Sequence, residues 1–460
     1  MRKTEVNMLS GSIIKGLFAI ALPIMIMNVV QSVFNIVDMT VLEMFGDEGD
    51  FAVGAVGTCG TLITLATGLL IGMSAGVNVV IAKHVGKGDR EKAEEATGTA
   101  LLFSFVGGLA LMVIGILFAE NFLLMMNCPE ELLAQATLYL RLYSAGVPIL
   151  MVYNFSAAIL RSIGDTKRPM IFLLSGGVIK LVFNFIFVAI FDMSVAGVAF
   201  ATIISWSVSA FLSILTLVKN DSIVKLKLKR LRFYGKELKE ILFIGVPAGV
   251  QQALYSLANV IISSAVNTFG AQATTGIAIA NNFDGILYQI CTAAALAVMP
   301  YVSQNIAVGN TKRANNAVRD GIIITVILGA TFGALSAAFS ASLSSIMSSD
   351  PAVIAFSQQK MIIVSSTYFI CGINEIICSA LRGMRKPILP TISVLIYMCA
   401  FRFVWVYLIF PHFRNLTFLY LVWPIGWVLS IVSLLPFYIL TFRKLSKESS
   451  YTAEGEKMLV

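Results

Sequence analysis

Few side chains in this 460-residue chain are equipped for chemistry, and most of those stand inside long apolar runs. In the stretch NVVQSVFNIVDMTVLEMFG, Asn28, Gln31, Asn35 and Asp38 are spaced three, four and three apart, so a helix places all four on one face. An unpaired charged carboxylate in hydrocarbon costs about 2.5–3.5 kcal/mol on insertion scales. A carboxylate that closes a polar stripe under that penalty is suited to taking up and releasing a cation: a proton, Na⁺ or a lysine ammonium. Well inside the apolar runs lie three acids, Asp38, Asp284 and Glu375, and two bases, Lys180 and Arg402. Buried charges require partners. Two pairs are expected, Asp38 with Lys180 and Glu375 with Arg402, because each half of the chain then neutralises its own base. Contact between Asp38 and Lys180 requires the long lysine side chain and a tilted or bent first helix, since Asp38 lies nearer the outer leaflet. Asn184 is the easier neighbour of Asp38.

Other chemistries find little to stand on. The two histidines, His84 and His412, fall in loops on opposite sides, and there is no P-loop. An embedded hydrolase and an ATP-driven pump are therefore both unsupported, and no catalytic residue is assigned. The six cysteines have no C-x-x-C spacing, which suggests neither a disulfide framework nor a metal site.

The elements that must position these groups are membrane helices. The chain is 58% hydrophobic and 13% charged, with a mean hydropathy of +0.86, whereas soluble domains carry about 25% charged residues. Twelve runs are long enough to cross a core of about 30 Å: 14–45, 53–82, 93–118, 136–161, 169–191, 195–218, 241–268, 273–303, 318–345, 355–382, 387–410 and 416–441. The polar start MRKTEVNMLSGSIIKG lacks a secretory cleavage pattern, so the first run is expected to remain in the mature protein. Of the 33 Lys and Arg residues, 28 fall in the termini and alternate loops on one side, eight of them in KNDSIVKLKLKRLRFYGKELKE. The positive-inside rule places both termini and these loops in the cytoplasm of a plasma-membrane protein. The net charge of +8 is thereby explained by topology, and nucleic-acid binding is not indicated.

The chain is also written twice. Setting PIMIMNVVQSVFNIVDMTVLEMFG from Pro23 above PAGVQQALYSLANVIISSAVNTFG from Pro247 needs no gap and matches Pro, Ser32/Ser256, Asn35/Asn259, Phe and Gly. VGKGDREKAEEA mirrors AVGNTKRANNAV, and LRSIGDTKRP mirrors LRGMRKP, at similar offsets. The expected fold is all-α integral membrane, with twelve transmembrane helices in two pseudo-symmetric six-helix lobes. The expected bounds are 1–218 for the N-lobe, 219–240 for a basic linker, 241–441 for the C-lobe and 442–460 for a tail. Pro23 and Pro247 should bend spans 1 and 7 at matching points. The stripe in span 1 (Asn28, Gln31, Asn35) has a copy in span 7 (Gln252, Tyr255, Asn259), and both are expected to line a cavity. That copy reaches Ile262 where the acid would be, so Asp38 answers to no packing need shared by both halves.

The paired halves, the VGKGD and VGNTKR turns, the LRSIGDTKRP turn and the acid in span 1 resemble the multidrug and toxic compound extrusion family over essentially the whole chain. The resemblance implies an exporter of amphipathic, often cationic, organic compounds. It implies alternating access driven by Na⁺ or H⁺, with no cofactor beyond that ion. Bacterial members carry an Asp in helix 1, which Asp38 matches. Many also carry Asn and Asp one turn apart in helix 5, where GGVIKLVFNFIF has Lys180 and Asn184 instead. The expected partners are small amphipathic molecules and membrane lipid, and the expected state is a monomer. The rival reading is a lipid-linked saccharide flippase of related fold, in which Lys180 and Arg402 would hold a diphosphate. Paired bases favour the exporter, and unpaired bases favour the flippase.

Overall fold

In hydrocarbon the backbone has no hydrogen-bond partner but itself, so apolar runs of this length wind into helices. In the structure, a computed structural model describing residues 5–45, 49–126, 128–219 and 221–458, twelve helices are long and apolar enough to cross a membrane. They are α1 (Ile13–Phe45), α2 (Gly49–Gly86), α3 (Arg90–Met125), α4 (Glu130–Ser162), α5 (Lys167–Ile190), α6 (Ser194–Lys219) and α7 (Gly235–Asn267). These are followed by α8 (Ala271–Ala307), α9 (Thr311–Ala338), α10 (Pro351–Gly383), α11 (Ile388–Phe413) and α12 (Leu416–Ser449). There is no strand among the described residues.

The chain divides into two compact units, Met1–Val6 with Ile26–Gly245, and Asn7–Met25 with Val246–Val460. This differs from lobes cut in chain order. Both α1 and α7 are shared between units, and each changes unit within three residues of its internal proline, Pro23 or Pro247. Proline removes one i→i−4 bond, so each helix is weakest where its allegiance changes.

The linker between the repeats belongs to unit 1, and charge holds it there. Glu94 of α3, almost fully buried, is approached by Arg90 at 3.1 Å, Lys227 at 2.8 Å and Arg230 at 3.3 Å. Gly98 makes room for the linker, since a Cβ there would stand 2.2 Å from the Arg230 carbonyl oxygen. In unit 2 the segment before α1 is held differently. The Arg313 guanidinium donates to the carbonyls of Met8, Ser10 and Gly11 at 2.7–2.9 Å. The expected tail is not separate from its unit, because helical structure continues past residue 441 and Ser449 Oγ donates to the Gly309 carbonyl at 2.6 Å.

The repeated turns have one geometry. Gly88 and Gly309 adopt φ of +68° and +74°, a region glycine enters without strain. Each is followed by a helix cap: Asp89 accepts from the Lys92 amide at 3.1 Å, and Asn310 from the Arg313 amide at 3.2 Å.

Candidate functional site

In unit 1 the site is built where α1 meets α5. A Cβ on Gly177 would lie 1.8 Å from Phe34 Cε2, and one on Gly176 would lie 2.4 Å from Ser209 Oγ. The two glycines therefore let α5 press against α1 on one side and α6 on the other, the small-residue contact typical of membrane helices. Phe34 and Asp38 are one turn apart on α1, while Lys180 and Asn184 follow Gly177 by three and seven residues. The same close approach thus brings the polar groups together. Lys180 Nζ donates to Asp38 Oδ2, and Asn184 Nδ2 donates to Asp38 Oδ1. All three are buried, Asn184 completely. The Asn184 Oδ1 atom has no protein partner. Beyond Asn184, α5 widens into π turns over Ile186–Ile190, a distortion common beside functional residues.

Both carboxylate oxygens are engaged while Asp38 is charged. The lysine ammonium stands where an inorganic cation would otherwise neutralise the acid. Among the described residues no group of three or more His, Cys, Asp or Glu is placed to hold a metal ion.

Unit 2 uses other helices. Asp284 of α8 accepts from Lys360 Nζ at 2.8 Å and from Ser365 Oγ at 2.8 Å, both on α10. Lys360 also donates to Asn281 and lies 5.2 Å from the centre of the Trp423 ring. The sequence reading passed over Lys360 because it falls near the start of an apolar run. In the structure α10 begins nine residues earlier, at Pro351, which puts Lys360 about 13 Å into the helix. The spacing of Asn281 and Asp284, three apart on α8, was the signal that a base had to face them.

The expected pair of Glu375 with Arg402 does not form. Glu375 accepts from the Tyr255 hydroxyl at 3.4 Å, whereas Arg402 Nη1 donates to Asn259 Oδ1 at 2.8 Å. Tyr255 and Asn259 are one turn apart on α7, about 6 Å along its axis, so the acid and the base meet α7 at different depths. Nearer to Glu375 is Arg382, whose guanidinium donates to Gln251 at 2.7 Å. Glu375 therefore stands apart from Arg402, while the Asp284–Lys360 pair and Arg402 meet at Trp423, whose ring centre lies 5.2 Å from Lys360 Nζ and 5.6 Å from Arg402 Cζ. Of the remaining stripe residues, Asn28, Gln252 and Tyr255 are half-buried, and Gln31 and Asn259 are exposed. The side chain of Asn35 lies outside the described residues.

Arg402 and Asn184 occupy equivalent positions, 15 residues after Pro387 and Pro169 of the repeated turns. Each is bonded to the first helix of its own repeat, α7 or α1. A model of the MatE family matches twice, over residues 23–186 and 247–408, and the two matches begin at the equivalent prolines. The chain belongs to the MatE family. MatE proteins are membrane transporters, not enzymes, so the twelve helices are those of an integral membrane transporter. Among MatE relatives, the chain is 26% identical to the probable multidrug resistance protein YpnP of Bacillus subtilis, over 81% of this chain and 83% of that one. It is 24% identical to the FAD transporter of Shewanella oneidensis, over 86% and 87%. A solved MOP superfamily transporter from Pyrococcus furiosus, 21% identical, superposes with a TM-score of 0.88 over 97% of this chain and 99% of that one. At that identity the likeness establishes the MatE fold.

Proposed function

We propose that this transporter is a secondary active antiporter that exports amphipathic organic compounds, cationic drugs among them, in exchange for Na⁺ or H⁺ by alternating access. The observation that carries the proposal is the engagement of Asp38 by Lys180 and Asn184. It is a buried acid whose charge is balanced by the Lys180 ammonium and can be balanced instead by an incoming cation. An exchanger needs one site whose occupancy differs between its facing states, because a ligand of equal affinity for both shifts nothing. Asp38 has no counterpart in α7, where Ile262 takes its place, so the coupling function resides in the first repeat. The names of the relatives support a transported organic molecule and span chemistries, multidrug resistance in one and FAD in another. In this proposal both termini and the basic loops face the cytoplasm of a plasma membrane, the stripe of α1 and that of α7 each line a cavity within their own unit, and the chain acts as a monomer.

The test is uptake of ethidium into inverted proteoliposomes with Na⁺ and pH gradients imposed separately. One of the two gradients should drive accumulation above the no-gradient level. Equal uptake under all three conditions overturns the proposal. A flippase for lipid-linked saccharides remains a second reading on one observation, that among the described residues no acid is paired with Arg402. It requires gradient-independent scrambling of a labelled diphosphate lipid in the same vesicles.

A further inference from the structure

Five of the 33 Lys and Arg residues lie away from the basic side of the chain: Arg141, Lys180, Lys360, Arg402 and Arg414. The first three are held by Glu120 at 3.8 Å, by Asp38 and by Asp284, and Arg402 donates to Asn259. Arg414 has no side-chain partner among the described residues. It follows α11 directly, at the end away from the basic LRGMRKP turn, where the positive-inside rule disfavours a base. Its backbone is unfavourable as well. The φ of +37° is left-handed, a conformation that glycine enters freely and arginine only at a cost. A base kept against both preferences points to a role for its guanidinium.

Arg414 lines a cavity of about 470 Å³ between the last turns of α7 and α11, within the range of roughly 300–1,000 Å³ typical of small-ligand sites. Each helix contributes one stripe. Ser264 and Thr268 stand one turn apart on α7, while Tyr407, Phe410 and Arg414 follow one another on α11 at spacings of three and four. From Tyr407 to Arg414 the cavity runs about 10 Å along the helix. The Phe269 and Phe410 rings, with centres 6.0 Å apart, give it an apolar wall. The Thr268 hydroxyl donates to the Ala265 carbonyl at 2.7 Å, whereas the exposed Ser264 hydroxyl is uncommitted among the described residues. One cation, one free hydroxyl and an apolar wall thus share the cavity. Beside it Tyr407 and Leu408 are 59% and 65% exposed, and the exposed surface of a membrane-spanning helix meets acyl chains.

We propose that this cavity holds the headgroup of an anionic glycerophospholipid from the leaflet away from the basic loops. Arg414 pairs with the phosphate oxygens, Ser264 donates to the same phosphate, and an acyl chain lies along Tyr407. A guanidinium fork suits two phosphate oxygens, and basic pockets between membrane helices are sites for lipid headgroups. A single unbalanced positive charge complements a singly anionic lipid and not a zwitterionic one. The inference needs only that the chain spans a membrane, so it stands apart from the exporter reading.

Leu408→Cys protein in uncharged detergent is labelled with bimane, which the six native cysteines escape because they are buried. It is titrated with phosphatidylglycerol or phosphatidylcholine carrying brominated acyl chains. These quench only nearby bimane, so lipid gathered by the basic loops at the far end is not read. Phosphatidylglycerol should quench at roughly one tenth of the mole fraction that phosphatidylcholine needs, the scale of one charge-assisted hydrogen-bond pair. Adding Arg414→Gly, which relieves the positive φ, should leave the protein folded and make the two lipids quench alike. Arg414→Gln takes the place of that variant if it does not fold. Equal quenching before Arg414 is changed, or a preference that survives the change, overturns the proposal. Soluble glycerophosphate should leave the quenching unaltered. Its displacement of phosphatidylglycerol at equimolar ratio would make this a site for free phosphate compounds and contradict the lipid assignment.

Discussion

Replacing Lys180 and Asp38 singly and together should expose the pair as an energetic unit. Their side chains are only 11% and 10% exposed, so solvent screens them little. Two unit charges 4 Å apart attract by about 4 kcal/mol at an effective dielectric of 20. Breaking a buried pair by removing one partner typically costs about 3–5 kcal/mol. Asp38→Asn should fall at the lower end of that range, because the new amide oxygen still accepts a hydrogen bond and no charged carboxylate is left buried. Lys180→Met should cost more, since the charged carboxylate keeps only the Asn184 bond. The double change, Asp38→Asn with Lys180→Met, replaces the ion pair by a neutral contact and should bring the loss below that of either single change, which requires a coupling energy of more than about 4 kcal/mol, the scale of the Coulomb attraction above. Equilibrium unfolding of purified protein in mixed detergent micelles measures all four corners of the cycle. Single losses that add to the double loss within about 0.5 kcal/mol would refute the pairing.

The other predictions bear on packing and on unit 2. A cycle between Asp284 and Lys360 should show coupling of about 1–3 kcal/mol, whereas one between Glu375 and Arg402 should be additive within about 0.5 kcal/mol; the same unfolding assay reads both. Gly177→Leu should drive the new side chain into Phe34 and cost at least about 1–3 kcal/mol along with transport. Gly57→Ala, at a site where a Cβ would meet nothing within 4 Å, should be tolerated in a melting assay. Glu94→Gln removes the carboxylate that Lys227 and Arg230 approach, so trypsin should cut the 225–232 segment roughly tenfold faster. An unchanged cleavage rate would mean that the linker is held by something else.

How much of this could be read from the sequence depended on the range of the interactions. Helix number and fold class were legible because each span is a local property, twenty or so apolar residues in a row. The repeat was legible because Pro23 and Pro247, Asn35 and Asn259, and the turn glycines Gly88 and Gly309 keep their spacing. Asp38, Lys180 and Asn184 could be brought together on paper because they share one half of the chain and opposite charge. The structure supplied the reason, which is Gly177 making room for Phe34. Partner choice in the second half was not legible in the same way. Arg402 and Glu375 have the right charges, but the registers of α10 and α11 against α7 put them a turn apart, and register is a packing property. Lys360 was lost because a base near the end of an apolar run reads as a boundary until α10 is seen to begin at Pro351. The sharing of α1 and α7 between units was out of reach as well, since chain order alone suggests six consecutive helices per lobe.

The central claim is that Asp38 couples an ion gradient to export, and vesicle transport by folded variants tests it most directly. Asp38→Asn and the double variant Asp38→Asn/Lys180→Met are reconstituted alongside wild type after each has been shown to be folded and inserted. Ethidium accumulation is then followed under the gradient that drives the wild-type protein. The account predicts that both variants bind ethidium but fail to concentrate it, and that the double variant fails despite its restored stability. Accumulation at the wild-type rate by either variant would contradict the account, leaving Asp38 a structural group and moving the coupling role to Glu375 or Asp284.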